Sequence, residues 1–498
     1  MSGHHLIIIG GGAAGLAAAI AAAGVSPSDH GPVTITIVDA ASSPGRKILA
    51  AGNGRCNLTN RVQRRDCYRT ENGPIPERFF RSDWDREIAA FMRSIGILMH
   101  ERKDGYLYPR TDQASNVLQA LIRETERSGV AIRSGVRVMQ CEKSSEGSGF
   151  DVMCRIAGSG GDCGTPGRRS ASGRPETSIP VSGDCGTLTR QSAGSDATNH
   201  IAGFPSAGAG RDFMIHADRV ILACGGMVSK TYGCMGDGYR LAGAFGHTAA
   251  RPVPSLCALH SDAPHIKAAS GVRTAARVSL LLDGQVLAKA QGELQMTDHG
   301  ISGIPVFQVS RYASLSAGIT ATIDFLPEVS GPEWKEECAR RLACVRADDT
   351  LGDFCRGLIP DKIAIWLLAD LGLVREKKLI RLLPEDARRF AAEGSDAFAD
   401  ALRNNCGQIR QLLQDMRCKE ISITGTEGFE KAQVTAGGIR LREISDTMES
   451  QYAKGLYFAG EVLDVDGICG GYNLTWAFHS GLLAGRSAAE SLQEGKNC

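Results

Sequence analysis

With 498 residues, 43% of them hydrophobic, the chain can bury a large core and is long enough for two or three domains. Its 56 Lys and Arg stand against 55 Asp and Glu, a formal net charge of +1, which argues against a broad field for nucleic acid or anionic lipid and leaves room only for a local basic patch. The 16 cysteines contain no CxxC pair, so neither a metal site nor a disulfide framework is expected, and free thiols suit a reducing cytoplasm.

The run LIIIGGGAAGLAAAIAAAGV, residues 6–25, is long enough to be mistaken for a signal peptide or a membrane span. No Lys or Arg precedes it, glycines interrupt it, and it leads into the alternating, β-branched VTITIVD. Residues 6–39 therefore read as a buried strand, a turn, a close-packing helix and a second parallel strand. Helical patterns follow at 83–96 and 113–128, and the second feeds the strand VAIRSGVRVMQCE. From 144 to 211 Gly, Ser and Pro dominate, a composition that offsets little ordering entropy, so this reads as a mobile surface insertion between two strands of a hairpin or meander.

FMIHADRVILACGG then returns to the sheet. Short strand patterns such as VSLLLDGQVLAKA and ATIDFL mark a separate β-rich region, and 331–405 carries helical spacing. The expected division is 1–251 with 433–498, 252–330 with 406–432, and 331–405.

Gly10, Gly12 and Gly15 form GxGxxG directly after a strand and at a helix start, where backbone N–H groups can face a pyrophosphate and a Cβ at the second glycine would obstruct it. Asp39 closes the second strand, and its carboxylate can accept hydrogen bonds from a ribose diol. These residues point to a dinucleotide without deciding between FAD and NAD. The other chain end bears on that choice. GLYFAGEVLDVDG supplies a strand, a tight turn and the carboxylates of Glu461, Asp464 and Asp466, all suited to ribityl hydroxyls or ordered waters. Gly470 and Gly471 then permit close backbone approach, and a helix starting near Asn473 aims its positive end at the electron-rich edge of a flavin. NAD alone would leave this apparatus without an occupant.

GRKILAAGNGRCNLTN, ILACGGMVSKTYGCMGDGYRLAGAFGHT, GELQMTDHGISGIPVFQVSR, VTAGGI and the C-terminal stretch from Tyr457 resemble the bacterial NAD(P)/FAD-dependent oxidoreductases, the aminoacetone-oxidase-family FAD-binding enzymes, which include bile-acid reductase-like flavoproteins. One departure is Cys224, where the family pattern suggests Thr. The resemblance implies an α/β fold, a Rossmann-like FAD-binding domain built from both chain ends with inserted β-rich and helical subdomains. It implies pyrophosphate contacts from Gly10, Gly12, Ala14 and Gly15, a ribose contact from Asp39, Arg46 and Lys47 near the phosphates or flavin, and adenine contact through the Val136 backbone. It further places Gly460, Glu461 and Asp466 along the ribityl and pyrophosphate portion, with Gly471, Tyr472, Asn473 and Leu474 under the ring.

The expected activity is hydride transfer from NAD(P)H through the flavin to a small or steroid-like unsaturated acceptor, with an amine-type oxidase using dioxygen as the alternative. A single dinucleotide fingerprint means that a nicotinamide visits transiently. Tyr232, His299 and Cys56 are candidate proton donors, each equally readable as a loop or packing residue, and Arg55 is a candidate counter-charge for a reduced flavin. An RNA-modifying flavoprotein is a rival, but its only basic cluster, RVQRRDCYR, is short. The oligomeric state is not legible.

Overall fold

A computed structural model describes residues 3–25, 33–145, 147–156, 211–228, 230–385, 387–388 and 395–494. Leu6, Ile7, Ile8 and Ile9 are all buried, so both faces of the first strand, His4–Ile9, are covered. That strand pairs in parallel with Val33–Asp39 on one side and Arg219–Leu222 on the other. Ala131–Ser134 and Leu456–Phe458 extend the edges into a five-stranded parallel sheet. This is a Rossmann-like arrangement. Chain order reverses between His4–Ile9 and Arg219–Leu222, and a crevice at the carboxyl ends of strands flanking such a reversal is where nucleotides bind in open α/β sheets.

The two chain ends meet through small residues. The first helix, Ala13–Ala23, is built almost wholly of Ala, and the C-terminal helix, Tyr472–Glu494, crosses it at Gly481 and Gly485. A Cβ on Gly481 would sit 2.3 Å from the Ala14 carbonyl oxygen, and one on Gly485 2.1 Å from that of Ala18. The helix backbones touch directly, which seats the C-terminal helix beside the glycine turn.

Beyond the parallel sheet lies a three-stranded antiparallel meander, Val136–Lys143, Phe150–Ile156 and Asp212–Ala217. The expectation of a low-complexity insertion starting at 144 is corrected here: Phe150, Val152 and Cys154 alternate inward and make Phe150–Ile156 a strand. Arg155 pairs with Asp212, so the chain leaves and re-enters at facing positions. The expected mobile segment between them, residues 157–210, lies outside the described residues.

Strand Ala249–Ser255 pairs with Val434–Ile439, and the chain between them forms the inserted part. Its seven-stranded antiparallel sheet is ordered Lys419–Ser422, Thr320–Asp324, Arg273–Leu282, Gln285–Thr297, Gly300–Gly303, Leu259–His260, Gly425–Thr426. The helix Ile304–Leu315 packs on it, and helices Gly331–Cys344, Asp361–Asp370 and Ser395–Asn405 follow. Helical structure runs on past 405 into Gly407–Arg417, because Ile409, Leu412, Leu413 and Met416 recur at helical spacing and are buried. Apolar residues from Leu259 to Ile421 make one contiguous core, distinct from the core around the parallel sheet.

Candidate active site

A cavity of about 580 Å³ opens at the carboxyl ends of the parallel strands and runs to the start of the C-terminal helix. Its floor is the glycine turn. Gly10 has a φ of +110°, and a Cβ there would lie 2.3 Å from the Ala223 carbonyl oxygen. A Cβ on Gly15 would fall 1.8 Å from the Gly10 carbonyl oxygen, so Gly15 lets the first helix close onto the turn and does not itself line the cavity. Gly12 differs from both. Its φ of −77° suits any residue, and beyond its own chain neighbours nothing lies within 4 Å of where its Cβ would be, so the space beside it is a cradle that a side chain would fill.

Asp39 fixes the turn from the neighbouring strand. Its carboxylate accepts from the Gly11 N–H at 2.6 Å and the Ala41 N–H at 2.7 Å, and it faces the cavity. Burial raises its pKa, with those two backbone bonds opposing. Cys224 donates its thiol to the Ile9 carbonyl at 3.4 Å, a bond a threonine hydroxyl could also make.

Farther along, Lys47 and Glu461 form an ion pair at 2.5 Å on the cavity wall, and Glu461 also accepts from the Thr435 N–H at 2.9 Å. Burial acts against the Lys47 charge, but its neighbours, Glu461 foremost, more than offset this and the lysine pKa is raised. Gly460 is held by the C-terminal helix: its N–H donates to Ser480 Oγ at 2.9 Å and its carbonyl accepts from Trp476 Nε1 at 3.1 Å. Asn473 bonds both the N–H and the carbonyl of Gly467, at 2.8 and 2.9 Å, shaping the loop before the helix. Ala14, Arg46, Val136, Gly471 and Leu474 also reach the cavity.

Several expected site residues lie elsewhere. Asp466 is fully buried and spends its carboxylate on Arg69 at 2.9 Å and Arg311 at 2.5 Å, a structural charge cluster. The Tyr472 side chain turns away to donate to the Val62 carbonyl at 3.0 Å. Cys56 is fully buried, and burial pushes its thiol up to about 12, which leaves it a packed, inert group. His299 is an exposed residue of the hairpin turn between Gln285–Thr297 and Gly300–Gly303, off the cavity. Tyr232 does line the cavity, next to Gly233, which packs on Ala41, and so sits on the Asp39 side.

Residues that the sequence did not single out also line the cavity: Tyr106 and Tyr108, and from the inserted part Leu256, Ile304 and Phe307. The signal for the tyrosines was the alternation in YLYP, which puts both phenols on one strand face around the buried Leu107.

A Rossmann-like sheet, a glycine cradle at its switch point and a second contact region from the opposite chain end define an FAD-dependent oxidoreductase. The chain belongs to the family described as the HI0933-like protein Rossmann domain, whose model matches residues 4–156 and 201–487. It is 38% identical to the 3-dehydro-bile acid delta(4,6)-reductase of Clostridium scindens, over 98% of this chain and 99% of that one. To the ribosomal RNA dihydrouridine synthase of Escherichia coli it is 25% identical, over 96% of each. A solved 3-ketosteroid-delta4-(5alpha)-dehydrogenase from Rhodococcus jostii matches at 13% identity and a TM-score of 0.44, covering 99% of this chain and 97% of the other. Among the described residues no helix is long and apolar enough to cross a membrane.

Proposed function

We propose that the protein saturates a conjugated double bond in a steroid-sized ketone, taking hydride from a transiently bound NAD(P)H by way of its FAD. The observation that carries this reading is the cavity itself, whose lining joins the glycine cradle to Leu256 and to Ile304 and Phe307 of the inserted helix. The relative that is 38% identical is named for reduction of such a compound.

In this reading Gly10, Gly12 and Ala14 face the pyrophosphate, and the Asp39 carboxylate accepts from the ribose while holding the turn. The Val136 backbone meets the adenine. Lys47 and Glu461, held against each other, flank the ribityl chain with Arg46 and Gly460 near them. Gly471, Asn473 and Leu474 bring the first turn of the C-terminal helix under the ring, where unpaired N–H groups favour electron density. Bound flavin supplies two-electron hydride chemistry, and the protein supplies orientation and exclusion of water.

The second reading, reduction of a base in ribosomal RNA, is favoured by the 25% identical relative. Against it, Arg61, Arg64 and Arg69 of the basic cluster are each already paired with a carboxylate.

Anaerobic mixing of the flavin-loaded protein with NADH and with NADPH tests the donor half, and reoxidation by a conjugated 3-dehydro-bile acid, by ribosomal RNA or by dioxygen tests the acceptor half. Fast bleaching followed by reoxidation with the bile acid is the expected outcome. Bleaching by neither nicotinamide, or reoxidation by dioxygen alone, defeats the proposal.

A further inference from the structure

We propose that Tyr106 grips the acceptor, donating its phenolic hydrogen to the carbonyl oxygen of the conjugated ketone; this assignment rests on the reading just given and names the group that makes it work. Tyr106 opens the strand Tyr106–Pro109, in which Leu107 is buried while Tyr106 and Tyr108 line the cavity. Its ring lies against the loop that enters the C-terminal helix: Tyr106 Cε1 is 3.0 Å from where a Cβ on Gly470 would be. The ring therefore stands beside the Gly470 loop that leads into the C-terminal helix.

Two nearby phenols are already engaged, Tyr68 donating to Gln63 Oε1 at 2.5 Å and Tyr472 to the Val62 carbonyl at 3.0 Å, whereas Tyr108 lines the cavity as Tyr106 does and is set apart from it by the test below. The Tyr106 hydroxyl has no protein partner among the described residues, and the residue lines the cavity. Burial holds its pKa above the ordinary phenol value, so it remains a donor throughout the neutral range. The same cavity is lined by Ile304 and Phe307, one helical turn apart on Ile304–Leu315, and by Leu256. Apolar side chains and an unspent hydrogen-bond donor lining one cavity suit a hydrocarbon skeleton with one carbonyl.

The chemistry balances as follows. Hydride, with its two electrons, adds to the β carbon; the π electrons shift so that negative charge collects on the carbonyl oxygen, where the Tyr106 hydrogen bond stabilises it. Water delivers a proton to the α carbon, the carbonyl re-forms, and Tyr106 retains its own proton. NAD(P)H is the reductant and leaves as NAD(P)⁺.

Tyr106→Phe removes one oxygen that bonds nothing in the protein, so fold, flavin content and the rate of bleaching by nicotinamide are expected to match the wild type. Reoxidation by the conjugated 3-dehydro-bile acid should fall about a hundredfold, the usual loss for one oxyanion donor. A second readout needs no turnover: the Raman carbonyl stretch of the ketone bound to the oxidised protein should lie lower in the wild type than in Tyr106→Phe. Wild-type reoxidation rate and an unchanged carbonyl stretch in Tyr106→Phe overturn the assignment, as does a loss confined to Tyr108→Phe. A wild-type protein that is bleached yet never reoxidised by the ketone overturns the functional reading and this one with it, so the wild-type arm tells the two failures apart.

Discussion

Gly12 isolates ligand approach from folding. With an ordinary φ and nothing beyond its chain neighbours within 4 Å of its would-be Cβ, Gly12→Ala should leave stability level or raise it by up to about 1 kcal/mol. Flavin released per chain on boiling should meanwhile collapse; full retention would mean that no phosphate lies against that turn. Gly15→Ala is the converse case, since its Cβ would fall 1.8 Å from the Gly10 carbonyl oxygen. It should cost about 1–3 kcal/mol in urea denaturation, as overpacking generally does. Both glycines look alike in GxGxxG, and only the structure separates the one that admits a ligand from the one that admits a helix. Asp466 shows the same limit. Its acidic neighbourhood invited a cofactor role, whereas its partners, Arg69 and Arg311, come from distant parts of the chain that no local pattern connects.

At the scale of elements, the opening strand, turn, helix and strand were legible because each rests on local chemistry: a continuous apolar run, glycines at a sharp turn, alanines, then β-branched alternation. The strand Phe150–Ile156 was not, since SSEGSG before it and GSGGDCG after it drown seven residues of alternation in a loop-like composition. The phenol pair on Tyr106–Pro109 was missed for a related reason: what matters is which way the strand face points, and that is set by pairing with Thr59–Asn60 and Met99–Glu101. Contact between the first and last helices is likewise a tertiary fact, though the glycines at 481 and 485 hinted at it. Gly485→Leu would drive a side chain into the Ala18 carbonyl, 2.1 Å from the Cβ position. Prising these helices apart should cost about 3 kcal/mol in urea denaturation. It should also strip flavin, because the displaced helix carries Asn473 and Leu474; a variant that melts earlier yet keeps its flavin would show that the two ends hold the cofactor independently.

Across the whole molecule two cores face each other, and Asp466 sits at their junction. Arg69 belongs to the parallel-sheet side and also donates to the Gln308 carbonyl at 2.7 Å, while Arg311 comes from the inserted helix and donates to the Thr70 carbonyl at 3.1 Å. Breaking a buried ion pair by neutralising one member typically costs about 3–5 kcal/mol. Asp466→Asn is therefore expected to lower thermal stability and to split calorimetric unfolding into two transitions, with flavin content at low temperature preserved.

Asp464, two residues earlier, makes an opposite prediction. One of its oxygens accepts from the Glu71 N–H at 2.9 Å while the other has no partner, and burial pushes its carboxyl up to about 6. The folded protein thus keeps a proton that the unfolded chain gives up near an ordinary value of about 4. Between those two values the native state binds more protons, so this group makes stability fall as pH rises from about 4 to about 6, and the loss is constant above. Asp464→Asn retains an acceptor for Glu71 and has no charge to bury. Urea denaturation across this range should show the variant level with the wild type at low pH and more stable above pH 6, by up to about 2.5 kcal/mol. Parallel profiles for the two proteins would mean that the carboxyl ionises in the fold at its ordinary value, with the arginines of the junction reaching it as well as Asp466.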